Sequence, residues 1–314
     1  MTSFKAYFNY IFKRSSLRLL VTLAIAVTVT MWEALLAKED SNMQTVSIIL
    51  RLLCTVVPPL ELCTFKNRRN ADILFSLPVS RKKQALAHYL NGLIQVIVTY
   101  ACCFAAVTIY YSLALKKENL QYYFVYFLLS LILSTFIYSV LMFAFNQANT
   151  VIDGIIFELL VGFGGIWVMA FVSVLFDLKW KLIYCSLYAP LGADGLFQIV
   201  KDNSFIMATG GVWLCVAWSI IGVACLVGYF ITFDRMRAEK IGGISDSVFG
   251  YKTLIPIWAY TLLATLGGLL CVFIYICMLV GYIIFRRGFK LTKNDYLTML
   301  CSLPFLVLGF VWMY

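Results

Sequence analysis

The chain has 314 residues, 62% of them hydrophobic and only 13% charged, with a mean hydropathy of +0.90. Soluble domains carry about 25% charged residues, so the composition excludes a water-soluble enzyme or binding module and points to an all-α, polytopic integral membrane protein. The formal net charge of +10 does not call for nucleic acid, because the basic residues stand at the ends of apolar runs, where topology needs them.

Residues 2–14 (TSFKAYFNYIFKR) interleave aromatic and basic groups, with Phe4, Tyr7, Phe8, Ile11 and Phe12 at helical spacing. That pattern predicts an interfacial helix. The apolar run at 17–37 has no small-residue cleavage signature, so a retained first span is expected rather than a removed signal peptide. Further spans follow at 44–64, 86–114, 122–146, 151–176 and 210–233. An external loop, 177–209, holds YAPLGADG, and Tyr110, Tyr111, Tyr122, Tyr123 and Tyr126 read as an aromatic belt at the outer ends of two spans. The run 254–285 is long for one helix and short for two; one tilted helix is an alternative, but the charges on either side favour a shallow hairpin turning at Gly267 and Gly268. A last span is expected at 296–314, which gives about eight or nine spans. With the N-terminus cytoplasmic, eighteen of the 25 Lys and Arg fall on the inner side, six on the outer side, and Arg51 within a span.

No G-x-x-x-x-G-K-[ST] occurs, and the dipeptide Gly-Lys is absent, so no phosphate-cradling loop is expected in this chain. Catalytic and metal-binding sets are likewise not expected. Most of the ten cysteines lie in apolar runs and read as small buried hydrophobes, with Cys185 in the external loop. His88, the single histidine, reads as a helix-end residue among lipid headgroups. Ionisable side chains within spans cost roughly 2.5–3.5 kcal/mol each and are candidates for function. Glu33 and Arg51 are expected to form a structural ion pair, a substrate contact being the alternative. Glu61, after Pro58 and Pro59, is expected to pair with Arg18 or with the basic loop that follows. Asn91 and Gln95, four apart on one helix face, suit interhelical hydrogen bonds or a cavity wall. Glu158 sits well inside a span with no evident partner.

The interval KNRRNADILFSLPVSRKKQALAHYL, 66–90, is more than a topology signal. Lys66, Arg68, Arg69, Arg81, Lys82 and Lys83 satisfy the positive-inside rule, but that rule has no use for Phe75, Leu77 and Pro78, and a short amphipathic helix is expected here. ADILFSLPVSRKK after a second span resembles the cytoplasmic loop of ABC-2-type (ATP-binding cassette) exporter permeases, especially bacterial ones. The basic N-terminal stretch is similar to that family's elbow helix, and LYAPLGADGLFQIV followed by FDRMRAEKIG is similar to its last external segment and helix tail.

The resemblance covers about residues 1–243 and implies a six-helix permease domain, with 244–314 as additional membrane helices. It implies an elbow helix at 2–14 and a coupling loop at 66–84 that docks on separate cytoplasmic ATPase subunits, which alone bind ATP. Carried over by position, Asp72, Phe75, Leu77, Pro78 and Arg81 would make that contact, with Arg69 at its rim. A second permease copy and membrane lipids would complete the assembly in the cytoplasmic membrane, and the cargo would be amphipathic, of peptide, drug or lipid class. A membrane scaffold or sensor holding a cytoplasmic partner through 66–84, and a secondary transporter using Glu158, are the alternatives.

Overall fold

The computed structural model describes residues 4–36, 44–114, 120–175, 211–245, 247–266 and 270–311. The expected loop 177–209, the turns at 38–42 and 267–268, and the end of the chain lie outside them. Among the described residues every regular element is helical: α1 (Phe4–Leu36), α2 (Gln44–Leu62), α3 (Arg68–Ser76), α4 (Arg81–Ala114), α5 (Leu120–Asn146), α6 (Val151–Leu175), α7 (Gly211–Asp234), α8 (Tyr251–Leu266), α9 (Leu270–Arg286), α10 (Lys293–Cys301) and α11 (Leu303–Val311). Short 3-10 turns cover Cys63–Lys66 and Ala238–Lys240.

The separate interfacial helix expected at 2–14 is absent as such; α1 runs unbroken from Phe4 to Leu36. No Pro or Gly interrupts the join, and Ser15 and Ser16 bond back to the carbonyls of Phe12 and Lys13 at 3.1 and 2.8 Å, which keeps them compatible with the helix. At 1.5 Å per residue, α1 and α4, of 33 and 34 residues, are each about 50 Å long. Both exceed a hydrocarbon core of about 30 Å, and they lie side by side.

Helices α1, α2, α4, α5 and α7 form one bundle around a core that includes Leu50, Val96, Tyr100, Leu141, Phe145 and Tyr229. Helices α5 and α7 approach closely. A Cβ on Gly222 would stand 2.5 Å from Phe136 Cβ and 2.8 Å from its Cα, so glycine is required there for backbone contact. Tyr111 and Tyr126, expected in an aromatic belt, are buried in this bundle instead. Their rings fill space between helices, leaving Tyr110 and Tyr123 half-buried at its edge.

Helices α8–α11 pack beside α6 around a second core of Tyr251, Met278, Tyr282 and Phe285. The run 254–285 thus contributes two helices that pack on one another, of 16 and 17 residues. Arg287, just beyond α9, donates to Gly242 O at 3.0 Å, so the pair leaves and returns to the same end of the molecule. The expected span 296–314 is not one helix. It is broken at Ser302, because Pro304 lacks the N–H that would bond Leu300 and its ring crowds that carbonyl, while Ser302 Oγ bonds Met299 O at 2.6 Å.

Candidate functional site

Two groups of expected residues converge where α1, α2 and α4 meet the 66–80 segment. The first is centred on Glu61, 3% exposed. Arg18 from α1 forms an ion pair and hydrogen bond with Glu61 Oε1, which also accepts from Asn91 Nδ2 at 2.8 Å and Gln95 Nε2 at 2.9 Å. His88 Nδ1 faces Glu61 Oε2 at 3.2 Å. An outer ring supports these groups: Arg18 Nε donates to Gln95 Oε1 at 3.1 Å and its Nη1 to Leu60 O at 3.0 Å. Ser15 Oγ donates to Asn91 Oδ1 at 3.1 Å, and Tyr7 OH lies 3.3 Å from His88 Nε2. Residues 88, 91 and 95 share one face of α4 by helical spacing, and Gly92 on that helix lets Tyr138 and Glu61 approach the backbone.

This network ties three helices at one level. Each bond to the carboxylate is charge-assisted, worth about 1.5–3 kcal/mol, and a carboxylate with several such partners is tolerated in an apolar bundle. Of the two partners expected for Glu61, Arg18 is the one found. His88, expected among lipid headgroups, is turned into the bundle: it is 7% exposed, with the Phe65 ring edge-on at 4.8 Å.

The second group is the short helix. Asn67 caps α3 by accepting from Arg69 N at 3.2 Å, and the helix ends where Leu77 turns extended ahead of Pro78. Its inward face holds it to the bundle. Phe75 packs on Phe65 at 5.9 Å, and the Arg81 guanidinium covers the Phe75 ring at 4.7 Å. Leu77 packs toward Tyr7, Ile11 and Ala87, and Gln84 Nε2 donates to Leu74 O and Val79 O at 2.9 and 3.2 Å. Arg81 also donates to the carbonyls of Asp234, the last residue of α7, and of Met236 just beyond it. The face left exposed carries Arg69, Asp72, Ile73 (60% exposed), Ser76 and Pro78. Phe75, Leu77 and Arg81 therefore anchor the helix, and the apolar side chain it presents outward is Ile73.

Between α1 and α3 runs a groove of about 510 Å³, lined by Tyr7, Tyr10, Arg14, Ile73, Leu77 and Val79 among others. A cavity of about 290 Å³ sharing Tyr7, Tyr10 and Arg14 reaches Glu61 and His88.

A family model described as ABC-2 family transporter protein matches residues 9–233. The chain belongs to the ABC-2 family of transporter membrane proteins. No curated protein and no solved structure matches it. An ABC-2 membrane domain is the permease of an ABC-type transporter, which works with an ATPase partner, and five of the helices described are long and apolar enough to cross a membrane. The match spans α1–α7, so the Glu61 network and α3 both lie within the ABC-2 part, whereas α8–α11 lie beyond it.

The remaining expected residues of this ABC-2 permease are dispersed. Glu33 is exposed on α1 and Arg51 half-buried on α2. Glu158 is 1% exposed on α6, and its Oε1 has no hydrogen-bond partner. A residue that sequence reasoning misplaced is Lys66, counted there as a topology charge. It is 5% exposed and donates to Asn146 O and Ala148 O at 3.0 and 2.6 Å.

Proposed function

We propose that this chain is the permease subunit of an ABC exporter of the cytoplasmic membrane, with its N-terminus inside, and that α3 is the coupling helix on which a separate ATPase docks. The observation that carries the reading is α3 itself, a capped nine-residue helix whose inward face is fixed to α1, α4 and the end of α7. Its outward face offers Ile73 between Arg69, Asp72 and Ser76. An apolar knob rimmed by charged groups suits a groove on a partner, with affinity from the knob and register from the rim.

Force applied to α3 reaches the spans through two rigid attachments. Phe75, Leu77 and Arg81 join α3 to the bundle, and the Glu61 network, just ahead of the segment, locks α1, α2 and α4 together. ATP-driven closure of an ATPase pair would tilt these helices as a unit and switch access across the membrane. Hydrolysis is assigned to the partner, in keeping with a sequence that has no G-x-x-x-x-G-K-[ST]. Two permease copies would enclose the path, and a wall rich in aliphatic and aromatic side chains suits an amphipathic cargo of peptide, drug or lipid class. The test is ATP turnover by the complex purified from native membranes. Ile73→Asp is expected to abolish stimulation of the ATPase while the permease stays folded; unchanged stimulation would overturn the coupling role.

A second reading rests on Glu158, whose carboxyl is buried with an unmet acceptor, a costly arrangement in an apolar interior. It makes Glu158 the ion-coupling group of a secondary transporter. Transport that persists without any ATPase and is lost in Glu158→Gln would favour it.

A further inference from the structure

The helices beyond the family match are joined to the α3 segment by a continuous chain of hydrogen bonds. It starts at Lys66, directly ahead of α3, whose ammonium donates to Asn146 O and Ala148 O. Asn146 ends α5 and Ala148 lies in the turn after it, so the buried amino group of Lys66 sits at the negative end of the helix dipole. The turn 147–149 then grips the loop after α7. Asn149 O accepts from Gly242 N at 3.0 Å, and Asn149 Nδ2 donates to Ile244 O at 2.9 Å. Ser245 Oγ donates to Gln147 O and Ser247 Oγ to Gln147 Oε1, both at 2.7 Å. The chain ends at Arg287, just past α9, whose guanidinium donates to Gly242 O at 3.0 Å and Gly243 O at 3.5 Å.

Both ends of this path are basic side chains bonded to backbone carbonyls. Lys66 cannot move away from the turn without leaving its buried amino group and those carbonyls unpartnered, and the turn cannot shift without carrying residues 242–245. Arg287 has φ of 51°, a backbone setting that reverses the chain at the end of α9 and aims its side chain back at the loop. We propose that Lys66 and Arg287 are positioning residues which tie the α3 segment to α8–α11, so that the C-terminal helices move with α3 during the ATP cycle instead of serving as a passive anchor. The proposal rests on the coupling role of α3 given above.

Pulsed electron paramagnetic resonance on the full-length permease with its ATPase partner tests it. Spin labels go at Arg68, where α3 begins, and Lys290 after α9 as a pair within one copy, and singly at Leu113 at the far end of α4 in each of the two permease copies, all exposed, in a chain without native cysteines that retains ATP turnover. On trapping with nucleotide, the 113–113 distance between the copies is expected to shift while the 68–290 distance within a copy stays fixed. In Arg287→Ala, a surface change that leaves the cores intact, the 113–113 shift is expected to persist and the 68–290 distance to become nucleotide-dependent, with Arg287→Lys restoring the fixed distance. Lys66→Met is expected to behave like Arg287→Ala. A 68–290 distance that changes in the unaltered chain, or stays fixed in both variants, overturns the relay. Absence of any 113–113 shift removes the coupling role of α3, and the relay with it.

Discussion

Glu61→Gln probes the network that holds α1, α2 and α4 together. The substitution keeps the shape but removes the charge and replaces one acceptor with a donor. Oε1 serves Arg18, Asn91 and Gln95, and Oε2 faces His88, so an amide nitrogen in the first position meets three donors, and one in the second fits only where His88 Nδ1 accepts. Arg18, with a side chain 26% exposed, also loses its counter-ion. Breaking a buried pair in this way costs about 3–5 kcal/mol, and the partial exposure of Arg18 argues for the lower end. Asp234→Asn is the control. Its pair with Lys82 is 4.0 Å long, with side chains 44% and 74% exposed, and such surface pairs contribute about 0–1 kcal/mol. Reversible unfolding in mixed micelles, followed by loss of helical signal, should separate the two variants clearly. Arg18→Gln combined with Glu61→Gln should cost less than the sum of the single changes, because neither charge is then stranded. If Glu61→Gln falls within about 1 kcal/mol of Asp234→Asn, the network does not bear the stability assigned to it.

Two further predictions concern packing and charge elsewhere. Gly222→Val places a branched side chain where even a Cβ meets Phe136 at 2.5 Å; thermal unfolding should show a loss of about 1–3 kcal/mol, as for other overpacked sites, whereas Gly288→Ala, with open space around it, should change little. Asp295 caps α10 through Thr292 and accepts two bonds from Arg286, both at 2.9 Å. Burial alone raises its pKa, but the Arg286 and Thr292 bonds outweigh burial and lower it below the ordinary carboxylate value. Its contribution to stability is therefore present above that value, near pH 3.9, and is lost as the pH falls toward the depressed folded pKa. Asp295→Asn should accordingly be less stable at neutral pH, with the difference closing in acid.

Five of the expected spans were legible because bilayer thickness imposes long apolar runs, and a short helix at 66–84 was legible because Phe75 and Leu77 have no topological purpose. The partners of these residues were less so. Phe75 and Leu77 look alike in sequence whether they face a partner or the chain's own bundle. What turns them inward is Phe65 and Arg81 on one side and Tyr7 on the other, all contacts between elements far apart in the chain. His88 had a readable signal, since it stands three residues before Asn91 and seven before Gln95 on one helix face. Lys66 had none: a lysine that caps a distant helix has the same sequence context as one that marks the inner leaflet. The join of α1 across residues 14–17 turns on the absence of a breaker, which an amphipathic pattern followed by an apolar one does not convey.

A photo-reactive amino acid at position 73, in the full chain in native membranes, addresses the coupling role of α3 most directly. Irradiation should give an adduct of this 35.6 kDa chain with an ATP-hydrolysing subunit, and the same probe at Phe75, turned inward against Phe65 and Arg81, should give far less. Adducts with lipid alone, or with no ATPase at either position, would contradict the assignment of α3 as the site where ATP energy enters the permease.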